Sequence, residues 1–125
     1  MPPIRELIRQ RRASRAKTLR KELKRLTKEL IKSGAEKIIL FGSACRGEFG
    51  LTSDLDLIVV MPSEKSFIER SRDMYLKLRP LAADILFYTP EEFYQLSQTN
   101  SFVKNAVKTG KIIYEKTTWG GRKSA

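Results

Sequence analysis

With 125 residues the chain has room for one domain and not for two, and 41% hydrophobic against 31% charged residues suits a folded core that needs no disulfide. It contains no histidine and one cysteine, Cys45, which excludes Ser-His-Asp and Cys-His nucleophiles, every histidine metal site and an intrachain bridge. The net charge of +11 divides unevenly: residues 1–32 carry 12 Lys/Arg and 3 Glu, a net of +9, whereas residues 33–125 carry 13 Lys/Arg and 11 Asp/Glu, a net of +2.

Residues 4–33 read as one basic helix, free of Gly and Pro after Pro3 until Gly34 stops it. Leu19, Leu23, Leu26 and Leu30 draw a single apolar stripe along its second half. Arg5 to Lys17 is nearly continuous polarity, so residues 1–17 are expected to be a helical extension or frayed arm that adds little to the core. The domain proper is expected over 18–116, with 117–125 a loose tail. Lys37 to Phe41 is a short buried strand ending at Gly42, and a helical turn is expected from Ala44. Leu55 to Val60 is a second strand, with Leu55, Leu57 and Val59 on one face and Asp56, Ile58 and Val60 on the other. Glu64 to Leu78 reads as helix, packing through Phe67, Ile68, Tyr75 and Leu78. Ala83 to Tyr88 is a third strand. Thr89-Pro90-Glu91-Glu92 starts a helix with its cap, its proline and its acids in order. Ser101 to Lys108 is a further helix, and Lys111 to Tyr114 a fourth strand. The alternation predicts an α/β or α+β fold with a small mixed sheet of about four strands flanked by helices.

Chemistry concentrates between Gly42 and Asp84. Gly42-Ser43 follows a strand directly, an arrangement that brings backbone N–H groups and a hydroxyl towards a phosphate, although Gly-Ser in that place is usually only a turn. Asp54 and Asp56 stand two apart at the start of a strand, with Cβ atoms about 7 Å apart on one side. A divalent cation would relieve their repulsion, and Mg²⁺ takes such oxygen ligands together with substrate phosphates. The plainer alternative makes Asp54 a strand cap and Asp56 a salt-bridged surface residue. Asp84 opens the run Ile85-Leu86-Phe87, where a charge is out of place unless it faces the same site.

The stretch Phe41-Gly42-Ser43-Ala44-Cys45-Arg46-Gly47, followed by Ser53-Asp54-Leu55-Asp56-Leu57, resembles the polymerase-beta-like nucleotidyltransferases, in particular their minimal (MNT) form found in HEPN/MNT toxin–antitoxin pairs. That family places Arg-Gly shortly after a Gly-Ser, and ten residues between the Gly-Ser and the first Asp of Ser-Asp-x-Asp. Here Ala44 to Ser53 are those ten. Asp84 ahead of Thr89-Pro90-Glu91-Glu92-Phe93 is similar to the family's third carboxylate and the helix after it. The resemblance spans residues 18 to about 115.

It implies that Asp54, Asp56 and Asp84 are the catalytic, metal-holding carboxylates for two Mg²⁺ ions, with Asp84 helping to deprotonate the attacking hydroxyl. Gly42 and Ser43 would hold the triphosphate of a nucleotide, ATP by the family's habit. Arg46 would contact phosphate or pair with a structural carboxylate. The implied reaction moves AMP to an acceptor hydroxyl, here a tyrosine of a HEPN-type helical partner. Two other readings compete: a non-catalytic antitoxin that occludes its partner, and a nucleic-acid-associated module led by the basic helix. Residues 1–40 contain no aromatic to stack on bases, which weighs against the latter. One cysteine and no apolar run long enough to span a bilayer point to a cytoplasmic protein without a membrane partner.

Overall fold

A computed structural model describes residues 3–47 and 54–117. Ser53 of the motif and residues 118–125 of the expected tail lie outside the described residues. Helix α1 runs unbroken over Ile4–Lys32, so the basic arm and the leucine stripe are one element. Burial starts at Ala16 and continues through Leu19, Glu22, Leu26 and Leu30, while Leu23 is half-buried at the edge of the stripe. Ahead of Ala16 every described side chain is exposed or half-buried.

Strand β1 (Lys37–Phe41) leads into the short helix α2 (Gly42–Cys45). Then come β2 (Leu55–Val60), α3 (Phe67–Leu78), β3 (Ala83–Tyr88), α4 (Pro90–Thr99), α5 (Ser101–Thr109) and β4 (Lys111–Glu115). The four strands form one mixed sheet in the order β3-β2-β1-β4. β2 and β3 are parallel, with α3 as their crossover, whereas β1 is antiparallel to both β2 and β4. The architecture is the mixed α+β fold expected of the sequence.

The sheet separates two apolar layers. Leu55, Leu57, Val59, Ile85 and Phe87 meet Leu19, Leu26 and Leu30 of α1 and Met74 and Leu78 of α3. On the opposite face Ile39, Ile58 and Val60 pack on Phe93 of α4 and on Val103 and Ala106 of α5. Central strand β2 is buried on both faces, which is why its tail reads Ile58-Val59-Val60 without alternation. Among the described residues no helix is long and apolar enough to cross a membrane.

α3 departs from expectation. It starts at Phe67 rather than Glu64, because the Ser66 side chain accepts from the Glu69 N–H and caps it there. Its inner stripe is Arg70, Met74 and Leu78, spaced by four, and in that phase Ile68 faces solvent at 75% exposure. Arg70 is buried because its guanidinium donates to the carbonyls of Phe87 and Lys65 and to the Glu92 carboxylate at 2.7 Å. A charge in the inner stripe is invisible to a hydrophobicity pattern. α4 begins as expected, with Thr89 and Glu92 in a reciprocal capping box and Pro90 in the first turn.

Candidate active site

Strand register assembles the site. Antiparallel pairing sets Phe41 opposite Asp56, and parallel pairing sets Asp84 opposite Asp56 on the other side. Asp56 is therefore flanked by the end of β1 and by a second carboxylate. Gly42 follows Phe41 with φ +76, a left-handed conformation that favours glycine. An added Cβ there would lie 2.5 Å from Asp56 Oδ2, so position 42 requires glycine for its torsion and for its lack of a side chain.

Burial raises the proton affinity of Asp56 first, and the charges of Asp84 and Asp54 raise it further. All three influences oppose a negative charge at Asp56, the reverse of what a salt-bridged surface residue experiences. The ion pair of the plainer reading is found instead at Asp54. This residue immediately precedes β2 and its Oδ1 accepts from Arg15 Nη2 at 2.9 Å. The two aspartates are thus not simple neighbours along one strand. Sequence reading missed Arg15, which lies 39 residues away in a basic run; its one signal is its place beside Ala16, where α1 first packs.

Ser43 lies in α2, which starts at Gly42 rather than Ala44. Ala44 is buried and Cys45 half-buried against the layer beneath α1, and the Cys45 thiol donates to the Thr109 carbonyl at 3.8 Å. This seats α2 while Gly42 remains beside Asp56. Arg46 caps the end of α2, its side chain exposed.

Among the described residues no group of three or more His, Cys, Asp or Glu side chains stands close enough together to hold a metal ion. Asp54 is drawn to Arg15, which leaves Asp56 and Asp84 as the adjacent pair. Their chemistry nonetheless fits a hard divalent cation: the donors are carboxylate oxygens, and their mutual repulsion is what such a cation relieves.

The family model for the polymerase beta nucleotidyltransferase domain matches residues 21–118. The chain belongs to that family. This nucleotidyltransferase is also similar, at 28% identity over 95 residues, to a Methanocaldococcus jannaschii protein named "Putative protein adenylyltransferase"; the match covers 75% of this chain and 93% of that protein. Its fold is that of a solved Sulfolobus solfataricus protein described as a putative nucleotidyltransferase, with TM-score 0.61 and 21% identity over 84% of this chain and 87% of the other. A toxin–antitoxin structure with AMP-PNP aligns at TM-score 0.48 and 19% identity over 76% and 74% of the two chains, too distant to bear on this one. Members of the family typically use a nucleoside triphosphate and a divalent metal.

Proposed function

We propose that this nucleotidyltransferase transfers AMP from ATP to a hydroxyl of a protein, in a Mg²⁺-dependent reaction centred on Asp56 and Asp84. The observation that carries the reading is the register of Asp84, Asp56 and Phe41 across three neighbouring strands, with the side-chain-free Gly42 against Asp56. The name of the archaeal relative, matched over most of its length, supports a protein acceptor and adenylate as the transferred group.

In this reaction the acceptor oxygen forms a bond to the α-phosphorus, the bond from that phosphorus to the bridging oxygen breaks, and pyrophosphate departs. Asp54, Asp56 and Asp84 hold the metal; Mg²⁺, two ions by family likeness, supplies charge neutralisation and alignment of the triphosphate. Asp84, the most exposed member of the strand-paired couple, receives the hydroxyl proton. Gly42 and Ser43 hold the phosphates, and the exposed Arg46 adds a guanidinium to them. We assign the acceptor to a tyrosine of a HEPN-type helical partner, and the lone Cys45 supports a cytoplasmic setting.

Incubating the protein with α-labelled ATP, Mg²⁺ and a HEPN-type partner tests the reading. Label should move to the partner, stop with a chelator, and vanish when the partner's acceptor tyrosine is replaced by phenylalanine. Partner neutralisation that persists with no label transferred would replace this reading by the occluding antitoxin.

A further inference from the structure

Arg15 is the point where the basic helix enters the site. The Arg15–Asp54 pair is only partly shielded, the side chains being 26% and 46% exposed, and pairs of that kind contribute little to stability. Such a bond is too weak to seat α1, which is already anchored by the buried row from Ala16 to Leu30. It is, however, placed on one of the carboxylates assigned above to the metal. A guanidinium on Asp54 Oδ1 competes with a divalent cation for that carboxylate.

The same side chain also borders an open space. Beside it, Arg11, Ser14, Arg15 and Thr18 line a cavity of about 280 Å³. Positions 11, 15 and 14, 18 are successive i, i+4 pairs on one face of α1. Among the described residues that lining provides two guanidiniums, two hydroxyls and no carboxylate. A guanidinium fork matches phosphate oxygens two at a time.

We propose that Arg15 exchanges partners during substrate capture: it covers Asp54 in the metal-free protein and moves onto the phosphate oxygens when the metal-bound triphosphate arrives, with Arg11 beside it. Arg15 is then a positioning residue for the nucleotide, and the helix arm is part of the substrate site rather than an appendage. The inference rests on the metal-site reading of Asp54 made under the proposed function.

The test is calorimetry on the full chain, wild type, Arg15→Ala and Arg15→Lys, titrated with Mn²⁺ alone and then with ATP in saturating Mg²⁺. Arg15→Ala should bind Mn²⁺ about three- to fivefold more tightly, since a competing cation has gone. It should bind Mg²⁺–ATP about tenfold more weakly, having lost charge-assisted bonds to phosphate. Arg15→Lys, which keeps the charge without the fork, should fall between on both titrations, and circular dichroism confirms that each variant is folded. Unchanged or weaker Mn²⁺ binding in Arg15→Ala overturns the competition at Asp54. Unchanged Mg²⁺–ATP binding overturns the move to phosphate. A wild-type protein that binds neither ligand sinks the metal-site reading itself, and this inference with it.

Discussion

A methyl group on Gly42 would stand 2.5 Å from Oδ2 of Asp56, nearer than real Cβ atoms come to a neighbour. The obstacle is the short, half-buried side chain of Asp56 on central strand β2, so relieving the contact must move its carboxylate. Gly42→Ala should therefore cost about 1–3 kcal/mol of stability, from the positive φ and the clash together, and should reduce nucleotide transfer far more than that loss explains. Urea unfolding and transfer assays on one preparation separate the two effects. An alanine variant of wild-type activity would show that Asp56 needs no fixed position.

Asp56→Asn should abolish transfer while leaving the melting temperature of the metal-free protein unchanged or slightly higher at neutral pH. The sign follows from the raised proton affinity of Asp56, due to burial and then to Asp84 and Asp54. A carboxyl with a raised pKa favours the fold fully below its unfolded value, and that contribution is lost as pH rises through the raised value. At neutral pH the ionised wild type is penalised and Asn is not. On acidification the advantage of Asn should shrink, which melts across a pH series in chelator will register. A large drop in melting temperature at neutral pH would speak for a structural role.

The acid side of the stability profile belongs to Glu22 and Glu92. Burial alone pushes each carboxyl up, but hydrogen bonds and charge override it, from Arg25 and the Leu81 N–H for Glu22 and from Arg70 and Thr89 for Glu92, so both end below the usual glutamate range. Groups of lowered pKa contribute stability above their unfolded value and lose it as pH falls through the folded one. Glu92→Gln should therefore flatten the decline in melting temperature below the ordinary glutamate pKa. A profile identical to wild type would deny the pair that role.

The Arg70–Glu92 pair should be asymmetric to truncation. Glu92→Ala leaves a buried guanidinium without its carboxylate and opens the α4 capping box, a loss of about 2–4 kcal/mol. Arg70→Met leaves behind a carboxylate that is 40% exposed and reaches water, so about 1–2 kcal/mol is expected. Equal losses in denaturant titrations would contradict the burial argument.

Deleting residues 1–14 should leave a folded domain, because the described side chains ahead of Ala16 are exposed or half-buried. The truncated protein should keep Arg15 but lose Arg11, so Mg²⁺–ATP binding should weaken modestly. Partner affinity should fall as well, while nucleic-acid binding at physiological salt stays negligible in both forms. Tight binding to RNA or DNA that weakens steeply with salt and disappears on truncation would favour the nucleic-acid reading.

Much of this was legible from local chemistry. The leucine spacing of α1, the alternating faces of β2 and the Thr89-Pro90 start of α4 are decided by neighbours in the chain, and pattern reading found each. The pairing of Asp56 with Asp84 was inferable once the two strands were taken as adjacent. What sequence could not show was which distant cation each acid would meet. Arg15 with Asp54 and Arg70 with Glu92 are both long-range choices, made by the packing of α1 and α3, and other basic residues lie within three positions of each, Arg12 and Lys17 by the first and Arg72 by the second. Arg70 also shows why Ile68 misled: hydrogen bonds to two carbonyls made an inner position suitable for a charge.

The strand order also has a bearing on how the chain comes to be folded. β1, β2 and β3 are contiguous within residues 37–88, and α3 closes the β2–β3 crossover locally. β4, by contrast, must return across the whole intervening chain to pair with β1, Lys37 meeting Glu115. Until β4 pairs with it, β1 has one unpaired edge. Interior strand edges left open in this way invite pairing with other chains. Pairing of β4 with β1 is the most non-local contact of the sheet, and it covers the outer edge of β1.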